Sequence, residues 1–213
     1  MKRLCVYCGS STGTNPLHRA AAKSLGELMA NLGIGLVYGG GNLGLMGVIA
    51  DAHLQAGGHV IGVIPKSLMD RELGHTGLTD LRIVNSMHER KQLMVDLSDG
   101  FIALPGGIGT LEELFETFTW LQLGFHDKPC GVLNVDGFFN HLQAFLQTVT
   151  ENQFLLESHH SALLVETDAQ TLLKRMADFR SNPPPLAPKI DQEALPQRNR
   201  GSESTGPNNN PSD

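Results

Sequence analysis

Short apolar runs alternate with longer stretches of helical periodicity from one end of the chain to about residue 180. The runs lie at 3–8, 34–38, 59–64, 81–84, 100–104, 130–134 and 162–166, and most are apolar throughout. Strands covered on both faces read this way, because neither side-chain direction meets water. Between them the spacing predicts helices over 16–32, 43–56, 87–98, 110–124, 137–150 and 168–180. Strand and helix in alternation predict an α/β fold, a single doubly wound, Rossmann-like parallel sheet with helices on both faces. The 110–124 segment is apolar on more than one face, through Leu111, Leu114, Phe115, Phe118, Trp120, Leu121 and Leu123. A lone surface helix needs only one apolar stripe.

The pattern stops near Ser181. Residues 181–213 are dominated by proline, glycine, asparagine and serine. Such a segment buries too little apolar surface to offset its ordering entropy, and it reads as a disordered tail on a 1–180 domain. The 213 residues suffice for that one domain with a sizeable core.

Composition narrows the function classes. The net charge is −6 and no run of Lys or Arg exceeds two, which argues against a nucleic-acid groove or an anionic membrane surface. No apolar stretch approaches the roughly 20 residues of a spanning helix. The start, Met1 to Leu4, enters a strand directly and is too short and wrongly flanked for a signal peptide. Three cysteines are too few for a disulfide framework, so a cytoplasmic location is expected. Cys5 and Cys8 spell C-x-x-C, but an offset of three in a strand points them to opposite faces, and they read as small buried hydrophobes. The histidines show no zinc spacing, and no metal site is expected.

Chemistry enters at three strand ends, where ligands bind in open parallel sheets. Each carries a glycine turn: Cys8-Gly9-Ser10-Ser11, Tyr38-Gly39-Gly40-Gly41-Asn42 and Pro105-Gly106-Gly107-Ile108-Gly109-Thr110. The middle turn matches G-x-G-x-x-G through Gly39, Gly41 and Gly44. A dinucleotide site also wants an acidic residue near the end of the next strand, and Gly62-Val63-Ile64-Pro65-Lys66 has none. Phosphate or mononucleotide binding remains. In the third turn, the N–H groups of Gly107, Ile108, Gly109 and Thr110 open a helix without intrahelical partners and suit an anion.

Glu113 stands awkwardly near that anion site. One reading is a capping box, with Thr110 as N-cap and Glu113 reaching back to its N–H. The other is a carboxylate beside a bound phosphosugar. A second stretch, Asn85 to Met94, opens with its own capping box at Ser86 and Glu89. Arg90 and Lys91 follow, where cations oppose the helix dipole. They read either as a solvated basic face or as groups aimed at an anion held by the next strand's glycine turn.

Together, Pro105-Gly106-Gly107-x-Gly109-Thr110-x-x-Glu113 and Met87-His88-x-Arg90-Lys91 make the chain resemble the "lonely guy" (LOG) family. These are cytokinin riboside 5'-monophosphate phosphoribohydrolases, often mislabelled lysine decarboxylases. The resemblance spans residues 1 to about 180 and includes Cys8 to Ser11, Tyr38 to Gly41 and Trp120-x-Gln122-Leu123-Gly124. It implies hydrolysis of a purine nucleoside 5'-monophosphate to free base and ribose 5-phosphate, without metal or cofactor, in a homodimer. Arg90 and Glu113 match the family's catalytic pair, Gly107 to Thr110 its phosphate turn, and Glu72, Lys91 and Thr119 further substrate contacts. The candidate binding set also takes in Leu111, Glu112, Ser10, Gly40 and Gly41. A non-catalytic nucleotide-binding or carrier protein of the same fold is the main alternative. A pyridoxal-phosphate decarboxylase would need a Schiff-base lysine, for which Lys91 is a poor candidate.

Overall fold

The computed structural model describes residues 1–72 and 74–184, without the side chains of 70–72. The expected tail lies outside the described residues from 185 onward. Seven strands form one sheet: β1 (Arg3–Tyr7), β2 (Gly35–Tyr38), β3 (Val60–Pro65), β4 (Asp80–Val84), β5 (Phe101–Ala103), β6 (Cys130–Leu133) and β7 (Leu163–Glu166). Their order is β4-β3-β2-β1-β5-β6-β7, with every pairing parallel. Cys5 of β1 pairs with Val37 on one side and Phe101 on the other. The chain reverses direction across the sheet between β1 and β5, so the crevice for a ligand opens above these two strands.

The predicted helices are α1 (Pro16–Asn31), α2 (Gly44–Gln55), α4 (Met87–Asp96), α5 (Ile108–Gln122), α6 (Asn140–Glu151) and α8 (Ala169–Ser181). Right-handed crossovers place α1 and α2 on one face and α4 and α5 on the other. Two short helices escape the sequence pattern, α3 (Lys66–Glu72) and α7 (Glu157–His160). Neither is long enough for a 3.6-residue period to declare itself.

Local chemistry accounts for most helix starts. Asn15 caps α1 by accepting from the Leu17 N–H, with Pro16 at the first helical position. Ser86 caps α4 by accepting from the Glu89 N–H at 3.1 Å, and Glu89 answers at the Asn85 N–H, 2.8 Å away. Of the two readings of Glu113, the capping box at Thr110 does not form. Helix α5 begins two residues earlier, with Gly107 as an extended N-cap (φ −93°, ψ −158°) that makes no side-chain cap bond. Thr110 sits a turn inside the helix, buried, its hydroxyl filling the space beside Gly106. Glu113 is therefore too far along to reach the helix start.

The core runs through the strands and the inner helix faces, and it includes free Cys5, Cys8 and Cys130. Burial raises all three thiols, Cys130 to about 12, so they are inert hydrophobes. Among the described residues no helix is long and apolar enough to cross a membrane.

Candidate active site at the β1–β5 crevice

The first and third glycine turns interlock above the crevice. The Gly9 N–H donates to the Pro105 carbonyl at 3.1 Å. A methyl group on Gly106 would overlap Thr110 and lie 2.9 Å from the Gly9 nitrogen, so only glycine lets the two turns approach this closely. Beside them is a cavity of about 340 Å³ bounded by Gly9 to Thr14, including exposed Ser10, and by Pro105 to Gly107. His18 and Phe138 form its outer wall, their rings meeting edge to face at 5.3 Å. Asn15 fastens that wall by donating to Asp136 at 2.8 Å. No sequence spacing connects residues this far apart.

The start of α5 is open. A methyl on Gly107 or Gly109 would meet nothing within 4 Å, and Ile108 is 81 % exposed. The first four N–H groups of this helix, those of Gly107 to Thr110, lie ahead of its first closing bond, Leu111 N–H to the Gly107 carbonyl at 3.2 Å. With the helix dipole they form a ready-made anion site. Leu111, half-buried, faces the core behind them.

The middle turn is different. Helix α2 starts at Gly44, where a methyl would overlap the backbone of Ser10, and the Leu45 N–H donates to the Gly9 carbonyl at 2.9 Å. The G-x-G-x-x-G helix end is thus closed by the neighbouring turn, which disposes of the dinucleotide reading. Gly40 has φ +77° and sits over β3, where a methyl would lie 3.1 Å from Ile64; Gly41 bridges antiparallel to Gly74.

Arg90 and Glu113 meet below these turns. Arg90 projects from the first turn of α4, is 8 % exposed, and donates through Nε to the Val63 carbonyl at 3.1 Å. Its Nη1 lies 2.9 Å from Glu113 Oε1, with both side chains nearly buried. Its Nη2 occupies the space a Gly39 side chain would need. Arg90 is thus packed against the β2 turn, neither on a solvated face nor aimed at the β5 turn. Burial pushes the Glu113 carboxyl above its ordinary value, against the downward pull of Arg90.

Lys91 also departs from expectation. Its ammonium is held by Glu112 at 2.6 Å and Glu116 at 2.9 Å, which ties α4 to α5. Glu116 was not singled out in the sequence, although its i+4 spacing from Glu112 puts both carboxylates on one helix face. Thr119 is exposed, nine residues beyond Thr110, about 14 Å along the helix. Glu72 closes α3, and its side chain lies outside the described residues. The fold thus gathers Arg90, Glu113, Lys91, Glu112 and all three turns at one end of the sheet, and leaves Thr119 further along α5.

Comparison with known proteins now bears on this arrangement. A family model described as "Possible lysine decarboxylase" matches residues 46–176. Cytokinin riboside 5'-monophosphate phosphoribohydrolase LOG1 of Arabidopsis thaliana is 47% identical over 178 residues, 84% of each chain. The enzyme of the same name, LOG, from Oryza sativa subsp. japonica is 46% identical over 178 residues, 84% of this chain and 74% of the relative. Among solved structures, the molybdenum cofactor binding protein of Rippkaea orientalis superposes with a TM-score of 0.64 at 22% identity, covering 84% of this chain and 98% of that one. The Chlamydomonas reinhardtii molybdenum cofactor carrier protein gives 0.61 at 19% identity, covering 83% and 98%. At such identity these structures speak for the fold alone. The sequence relatives and the family model speak for more: the chain belongs to the LOG family, grouped under the description of possible lysine decarboxylases.

Proposed function

We propose that the protein is a phosphoribohydrolase: it cleaves the N-glycosidic bond of purine nucleoside 5'-monophosphates, with adenine or N6-modified adenine as base. The products are free base and ribose 5-phosphate. The main support is the buried Arg90–Glu113 pair set beside the open N-terminus of α5. The relatives' name agrees with it.

Breaking the C1'–N9 bond sends its electron pair to the base and leaves positive charge on the ribose ring. A carboxylate facing that charge stabilises the transition state more than the ground state. Glu113 fills this role and orients the water whose oxygen bonds to C1'. The departing base and Glu113 take up the proton traffic: one proton reaches the base, and the water loses one. The 5'-phosphate rests on the N–H groups of Gly107 to Thr110, with Ser10, Gly40 and Gly41 lining the approach, so remote binding energy holds the sugar in place. Arg90 braces Glu113 from the side of the β2 turn and opposes the upward push of burial on its carboxyl. The family resemblance adds Lys91, Thr119 and Glu72 as further substrate contacts, and Glu112 joins them through its ion pair with Lys91.

The same reading includes a homodimer, supported by apolar residues left exposed on and just after α5, Ile108, Leu123 and Phe125. Light scattering at micromolar concentration should give twice the chain mass. It also places the working unit in residues 1–180 and the protein in the cytoplasm, where its free thiols stay reduced.

The test is a panel of AMP, N6-isopentenyl-AMP and adenosine, with free base and ribose 5-phosphate followed by chromatography. Release of both products from the monophosphates, and far slower release from adenosine, is expected. Tight AMP binding without base release would instead assign the chain to the carrier reading.

A further inference from the structure

The mechanism leaves one well-built polar pair unused. His75, 8 % exposed, places Nε2 2.9 Å from Asp51 Oδ1 on α2. Its Nδ1 lies 3.2 Å from the Gly77 nitrogen. A backbone N–H only donates, so Nδ1 accepts and the ring's proton sits on Nε2, donating to Asp51. Both ring nitrogens are thereby fixed, and the 74–77 segment is tied to α2.

That segment holds the middle glycine turn. The His75 N–H donates to the Gly40 carbonyl at 3.0 Å, and Gly74 bridges to Gly41. The turn in turn sets Arg90, because the guanidinium packs into the space over Gly39. Helix α2 is itself anchored to the β1 turn through Leu45 and Gly9. A continuous chain of contacts therefore runs from Asp51 through His75 and Gly40 to the guanidinium that orients Glu113.

We infer that His75 and Asp51 are a positioning pair for Arg90: they hold the second glycine turn where the guanidinium can brace Glu113. Neither touches the substrate. The inference rests on the proposed hydrolase reading for its effect on turnover, and on geometry alone for its effect on Arg90.

Asp51 is half-exposed on a helix, so Asp51→Ala keeps the fold and removes only the anchor of the imidazole. It should lower kcat on AMP about tenfold, as a small misplacement of a catalytic group does, with KM changed less than twofold. Asp51→Asn still offers an amide oxygen to Nε2–H and should restore most of the rate. A merely structural role would instead lower the melting temperature with no rescue of rate by Asn. The second readout needs no activity. The NMR signal of the Arg90 Nε–H, assigned by its loss in Arg90→Lys, should shift and exchange faster with water in Asp51→Ala. Inactivity of the unmodified protein on every monophosphate would sink the hydrolase reading, and the Nε–H signal would then decide the positioning role. An unchanged Nε–H signal, or an unchanged kcat in an active enzyme, overturns the pair.

Discussion

Two glycine turns of this molecule look alike in sequence and behave in opposite ways. The turn after β2 carries the better-known spacing, G-x-G-x-x-G, yet the helix it opens is plugged: the Gly9 carbonyl takes the Leu45 N–H, and Gly44 is pressed onto Ser10. The turn after β5 opens a helix on which a methyl at Gly107 or Gly109 would meet no atom within 4 Å. Glycine thus serves close packing at Gly44 and Gly106, whereas Gly107 and Gly109 face open space. An anion site needs helix N–H groups that no protein atom has claimed, and spacing alone does not say which turn has them.

The sharpest test of the contrast exchanges stability for activity. Gly44→Ala should destabilise by about 3 kcal/mol or more, because φ is +62° and the new methyl meets backbone. For a domain of this size that lowers the melting temperature by roughly 6–12 °C. Gly109→Ala, with open space above it, should leave stability within about 0.5 kcal/mol. Calorimetry of the two variants checks it; equal losses would erase the distinction.

Next in size is the carboxylate below the open turn. Glu113→Gln keeps an acceptor for Arg90 but removes the charge facing the ribosyl cation, so kcat should fall on the order of 10²-fold. Because Glu113 is no cap, its loss should leave the helix start unaffected. Since burial raises the carboxyl, the acid limb of kcat should lie above the pH at which an ordinary glutamate titrates, and activity should be lost as pH falls through it. A pH–rate profile with its limb at or below the usual value contradicts this.

A smaller change removes one proposed phosphate donor, the Ile108 N–H, together with an exposed apolar side chain. Proline is accepted at the first helical position, and the extended Gly107 before it suits a following proline. Ile108→Pro should therefore raise KM for AMP about tenfold through loss of one charge-assisted hydrogen bond, with adenosine cleavage and melting temperature unchanged. Equal effects on nucleotide and nucleoside would take the turn out of phosphate binding.

The smallest effect lies at the far end of the helix that the plugged turn opens. His53 on α2 bonds through Nδ1 to the Gly26 carbonyl at 3.0 Å, and its buried Nε2 has no hydrogen-bond partner. Burial lowers its pKa, so the unfolded chain binds the extra proton more readily. Stability should therefore fall as pH drops through the ordinary histidine range near ~6.5, by up to about 1 kcal/mol. Urea denaturation at pH 7.5 and 5.5 measures it. His53→Gln should flatten the difference.

The sequence by itself determined the alternation of strand and helix, the parallel sheet and the glycine-bearing strand ends. Burial on both faces leaves runs such as Val60 to Pro65 apolar throughout, and that signal is local. It also marked Arg90 and Glu113 as candidates through their motifs. Only the tertiary structure decided that Glu113 pairs with Arg90 and does not cap α5, since the cap depends on where the chain leaves β5. Only it could show that Lys91 is shared by Glu112 and Glu116, that the β2 turn is closed by the β1 turn, and that His75 reaches Asp51. These facts depend on distances between segments far apart in the chain. Periodicity reports which face of an element is apolar, whereas the sheet order decides which elements meet.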